Sequence, residues 1–215
     1  DARVEQHISK GLEDGLQVTA VACCNDLWAL IMDASAVYSE QVFTISPEFL
    51  PKDWILERWE EGFYITCMAG SRDGNSLVVM SKNTLYNQQS YKVSDFFPYK
   101  WISRKWKEGF YVTSLTSASG NRWAVVMSRG AQYIEQCVEI DFQYPSEGIH
   151  YRWDAGYRIT SCAATADQVA LILSIPRRRP ADETQETLRT TQFPSTHVKE
   201  KWNKSLYIAA VAYGR

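Results

Sequence analysis

The chain repeats itself, and that bounds its fold more tightly than anything else in its 215 residues. The tetrads Trp59-Glu-Glu-Gly62, Trp106-Lys-Glu-Gly109 and Trp153-Asp-Ala-Gly156 recur every 47 residues. Leu12-Glu-Asp-Gly15 opens the chain as a degenerate copy and Trp202-Asn-Lys-Ser205 closes it. Anchors 15, 62, 109, 156 and 205 are thus spaced by 47, 47, 47 and 49. A fixed period of about 20–50 residues marks a repeat architecture, in which one supersecondary unit buries its apolar faces on the next.

Three runs fill each unit. The first, Phe63–Cys67, Phe110–Ser114 and Tyr157–Ser161, alternates in character and reads as half-buried strand. The second, Ser76–Ser81, Trp123–Ser128 and Val169–Ser174, is nearly all apolar and reads as a strand covered on both faces. The third opens with Gln41, Gln89, Gln136 or Gln185. Turn signals such as Asp73-Gly74-Asn75 and Cys24-Asn25-Asp26 separate the first run from the second. Pro51, Pro98, Pro145 and Pro194 each stand eight residues before the repeat Trp. The stretch between them reads as helix or as a short outer strand or irregular edge, and the strand or edge is favoured.

Several short strands per unit predict an all-β fold, a β-propeller of 47-residue repeats. The units are 15–61, 62–108, 109–155 and 156–204, with a split unit of 205–215 plus 1–14. The ring is five-bladed with its last blade shared by the two termini; a four-bladed ring is the alternative. Trp59, Trp106, Trp153 and Trp202 serve as packing wedges, Gly62, Gly109 and Gly156 as entry turns, and the four glutamines as ties to backbone. A ligand platform of tryptophans or a lining of glutamines is the competing reading. Five full units need more chain, so the missing strands are expected upstream of residue 1. An empty blade edge would pair with a second copy.

Lys+Arg of 23 against Asp+Glu of 25 argues against a nucleic-acid partner. No apolar run reaches the roughly 18 residues of a membrane span, and no signal segment opens the chain. Cys23, Cys24, Cys67, Cys137 and Cys162 are odd in number and lack zinc spacing, which predicts reduced thiols in an intracellular compartment. Nucleotide, hydrolase, metalloprotease and kinase signatures are all absent. No catalytic residue, metal or cofactor is therefore expected. One segment breaks the repeat: Arg177, Arg178 and Arg179 between Pro176 and Pro180, followed by acidic Asp182, Glu183 and Glu186. It reads as a docking point for phosphate or an acidic peptide, or as a solvated turn.

Longer motifs carry a resemblance. Residues 26–33 (DLWALIMD), 76–82 (SLVVMSK), 88–95 (QQSYKVSD), 144–150 (YPSEGIH), 182–190 (DETQETLRT) and 193–202 (FPSTHVKEKW) together resemble the C-terminal region of plant and green-algal casein kinase I-like Ser/Thr kinases. The branch is the nuclear one linked to histone phosphorylation, light signalling and flowering. The resemblance implies a noncatalytic protein-interaction domain in the nucleus, recruiting substrates such as histones or signalling regulators to an attached kinase. It places no kinase residue in this chain. Leu12 at the first Trp position marks a diverged member. A small-ligand or carbohydrate-binding propeller is the alternative function.

Overall fold

A computed structural model describes residues 2–25, 27–34 and 37–214. The elements run α1 (Ala2–Glu13), β1 (Gln17–Cys24), β2 (Leu27–Asp33), β3 (Gln41–Ser46), α2 (Lys52–Glu60), β4 (Tyr64–Gly70), β5 (Ser76–Ser81), β6 (Gln88–Ser94) and α3 (Tyr99–Lys107). They continue with β7 (Tyr111–Ala118), β8 (Arg122–Arg129), β9 (Tyr133–Asp141), α4 (Ser146–Asp154), β10 (Arg158–Ala164), β11 (Val169–Pro176) and α5 (Ser195–Trp202). In the first hairpin turn, Asp26 lies outside the described residues.

The stretch from Pro to Trp is helix, not strand. Pro51, Pro98, Pro145 and Pro194 are the N-caps of α2 to α5. The tetrads are the helix stops. Gly62 N–H bonds Trp59 C=O at 3.0 Å and Phe63 N–H bonds Arg58 C=O at 2.9 Å, the paired bonds of a Schellman end. The same pair closes α3 at Gly109 and Phe110, and α4 at Gly156 and Tyr157. Gly62, Gly109 and Gly156 take φ of +85°, +83° and +91°, a region that costs a side chain dearly.

Among the described residues four small antiparallel sheets follow: β1-β2, β3-β5-β4, β6-β8-β7 and β9-β11-β10. The apolar second run is the middle strand, and every residue of β5 is buried. Its outer neighbour is the Gln-led third run of the preceding sequence unit. A helix therefore carries the chain across the sheet from β3 to the parallel β4. Successive sheets pack face to face. Val78 and Met80 of β5 meet Ala124 and Val126 of β8. Leu77 and Val79, on the other face, meet Val18 and Val21 of β1. Ile8, Ile55, Ile102 and Ile149 seal these layers from their helices, each with at most 1% of its surface exposed.

The expected propeller ring is not formed. The sheets are separate, none closes, and the termini build no fifth sheet among the described residues. The start of the chain is helix α1, and residues 206–214 carry no strand. The Gln185 run is likewise not a strand, because among the described residues no middle strand stands beside it to form a ladder.

Candidate functional site

Each inner strand carries a β-bulge at the same place: between Val18 and Ala20, Ile65 and Cys67, Val112 and Ser114, Ile159 and Ser161. A bulge leaves ladder groups unpaired. The glutamine of the next sheet answers them. Gln136 Oε1 accepts from Val112 N–H at 2.7 Å, and its Nε2 donates to Val112 C=O at 2.9 Å and Ser174 Oγ at 2.9 Å. Gln89 does the same at Ile65 and Ser128, and Gln41 at Val18 and Ser81. One carboxamide thus stands in for a ladder pair and ties two sheets. The bulged threonines bond the same serines, as Thr113 does with Ser128 at 2.7 Å.

The tryptophans join this node unevenly. Trp59 Nε1 donates to Gln89 and Trp106 Nε1 to Gln136, each at 3.0 Å. Gln41 has no such donor, since Leu12 stands at that position. At the fourth node Gln185 accepts from Ile159 N–H but donates to Tyr157 C=O, and the buried Trp153 Nε1 has no partner among the described residues. Trp59, Trp106 and Trp153 are half-buried, whereas Trp202 is 47% exposed. The fully buried helix position is the isoleucine, which sequence reasoning passed over although Ile8, Ile55, Ile102 and Ile149 share the period of 47. It also missed Tyr38, Tyr86 and Tyr133, each three residues before its glutamine. Tyr86 stacks edge-on to Tyr64, and Tyr133 to Tyr111. Burial pushes the Tyr38 phenol up to about 12.

The Arg177–Arg179 loop is exposed, with Arg177 N–H held by Gln132 C=O at 2.8 Å. None of the three guanidiniums has an ion pair among the described residues. The acidic stretch after it is engaged elsewhere: Asp182 accepts from Thr184 N–H at 2.9 Å and Glu186 from Lys201 Nζ at 2.7 Å. Among the described residues no three His, Cys, Asp or Glu side chains meet in a metal-holding group. Burial raises the thiols of Cys67 and Cys162 to about 12, too high for a nucleophile near neutrality. A cavity at one end of the inner strands, beside Gly70, Thr116 and Ala163, measures only ≈ 40 Å³. Ligand pockets run to about 300–1,000 Å³. The wider depression at Thr190–His197 is curled by one chain segment and open to solvent.

A family described as "Domain of unknown function (DUF7477)" matches residues 1–215. The chain belongs to this family. The DUF7477 domain is also 65% identical, over its whole length, to casein kinase 1-like protein HD16 of Oryza sativa subsp. japonica. It spans 30% of that relative's length and matches its C-terminal, non-kinase portion. These residues therefore lie outside the kinase catalytic domain.

Proposed function

We propose that this domain recruits protein substrates or regulators to a casein kinase I-like Ser/Thr kinase domain attached to it in the full-length protein. The reading is carried by the whole-chain match to the non-kinase portion of a casein kinase 1-like protein. The exposed arginine loop supports docking. Three guanidiniums between two prolines lose little freedom on binding, and each can grip a carboxylate or phosphate with two hydrogen bonds. An exposed ion pair is worth only about 0–1 kcal/mol. The loop therefore selects partners with several acidic or phosphorylated groups and gains from avidity with the linked kinase–substrate contact. The same charge disfavours basic histone tails as its direct ligand. Among nuclear substrates and signalling regulators, the reading points to acidic or phosphorylated segments. A nuclear, reducing location belongs to the same proposal.

Steady-state phosphorylation by the full-length kinase, with and without residues 1–215, tests the reading. Removal should raise KM for an acidic phosphoprotein such as casein and leave KM for a short peptide unchanged. Equal KM values on the protein substrate would overturn it.

A further inference from the structure

The sheet β1-β2 lacks a strand that its three sisters possess. The second strand of each hairpin is the middle strand there: β5, β8 and β11 pair on their far sides with β3, β6 and β9. The strand β2 holds the same place, yet its far edge is unpaired among the described residues. Burial reflects the difference. All of β5 is buried, no residue of β2 is, and Leu27 is 73% exposed. A free edge with apolar side chains is a template for another strand.

Register specifies what fits. Gln41, Gln89 and Gln136 lie opposite Ser81, Ser128 and Ser174 and donate to those hydroxyls at 3.1, 3.0 and 2.9 Å. The matching residue of β2 is Asp33, an acceptor bonded so far by Thr19 Oγ1 at 3.0 Å. The filling strand must therefore present a donor opposite Asp33. Opposite Ile31 and Ala29 it must present apolar residues, as β3 presents Phe43 and Ile45 to Val79 and Leu77.

The source follows from the repeat. Gln41, Gln89 and Gln136 precede the buried helix isoleucines Ile55, Ile102 and Ile149 by 14, 13 and 13 residues. The same offset from Ile8 falls upstream of residue 1, where the longer relative has chain. We propose that the segment immediately upstream of this domain in the full-length protein adds an antiparallel strand to the free edge of β2, with a Gln, Lys or Arg side chain opposite Asp33.

Hydrogen exchange of the β2 amides in the full-length protein tests this. They should exchange within about tenfold of the β5 amides, at concentrations where the protein is monomeric. Deleting about twelve residues upstream of residue 1, room for one strand and its connection, should speed β2 exchange more than tenfold and leave β5 unchanged. Should that deletion disturb β5 as well, point variants decide. Asp33→Lys should release β2 alone, and Asp33→Ser, which restores the sister residue, should keep it protected. Rapid exchange of β2 in the unaltered full-length protein, or protection that survives Asp33→Lys, would overturn the proposal. Protection that appears only as concentration rises would make a second copy the occupant and overturn it equally.

Discussion

Replacing Gln136 by Ala removes the most deeply buried amide tie between two sheets. Its carboxamide is buried and meets Val112 N–H, Val112 C=O, Ser174 Oγ and Trp106 Nε1 at 2.7–3.0 Å. Ser174 keeps Thr160 at 2.8 Å after the change, so three groups lose a partner. A buried polar group left unpaired costs about 1–3 kcal/mol. Water entering the vacated space offsets part of that sum, which brings the expected loss to about 2–4 kcal/mol. At ~2–4 °C per kcal/mol for a domain of this size, the melting temperature should fall by roughly 5–15 °C. Gln185→Ala is the internal comparison: it breaks two bonds at a half-buried site and should cost about 1 kcal/mol. Urea unfolding of both variants, with Trp106→Phe in a double-mutant cycle, would measure the indole–amide share. A loss below about 0.5 kcal/mol for Gln136→Ala, or one no larger than that of Gln185→Ala, would refute the idea that the amide node holds the sheets together.

Other expectations are as specific. Ile102→Ala should cost about 2–5 kcal/mol and Trp202→Ala less than about 1, because the first is fully buried and the second 47% exposed; melts in the opposite order would contradict the core assignment. Gly62→Ala should cost about 1–2 kcal/mol from its φ of +85° alone, since nothing lies within 4 Å of an added Cβ; an unchanged chemical denaturation midpoint would show that the helix end does not need that conformation. Cys67 should resist alkylation in the native state near pH 8 and react only on unfolding, and the partly buried Cys162 should react more slowly than an exposed thiol, as read by mass spectrometry. Their raised thiol pKa values also set a sign. Stability from keeping them neutral is fully present below the ordinary thiol value of 9.0 and is lost as pH rises towards about 12. Rapid native alkylation of Cys67 would contradict its burial.

The repeat made the strands legible, because period-2 alternation and an all-apolar run each have one physical meaning at that length. The helices were equally written in the sequence. Proline at the start and Trp-x-x-Gly at the end are a start and a stop signal, but the Trp drew attention as a wedge and the Gly as a strand entry. Reading helix there removes one strand per unit and hands the outer strand to the following hairpin. The ring fails for a related reason: the repeat extends through the terminal fragments, but a strand forms only where a neighbouring strand supplies a backbone ladder, and among the described residues the Gln185 run and residues 206–214 are paired in no sheet. The glutamine's role as a backbone tie was legible as a type of contact. Its coincidence with a bulge was not, since a bulge is a mismatch between two strands and belongs to neither sequence alone.

The recruiting role is tested most directly by the full-length kinase carrying Arg177, Arg178 and Arg179 all changed to Ala. The account predicts a KM for an acidic phosphoprotein several-fold higher than wild type, a gap that closes as salt is added. It also predicts unchanged kcat, unchanged short-peptide kinetics and an unchanged melting temperature. An unaltered KM at low salt, with the fold intact, would contradict it.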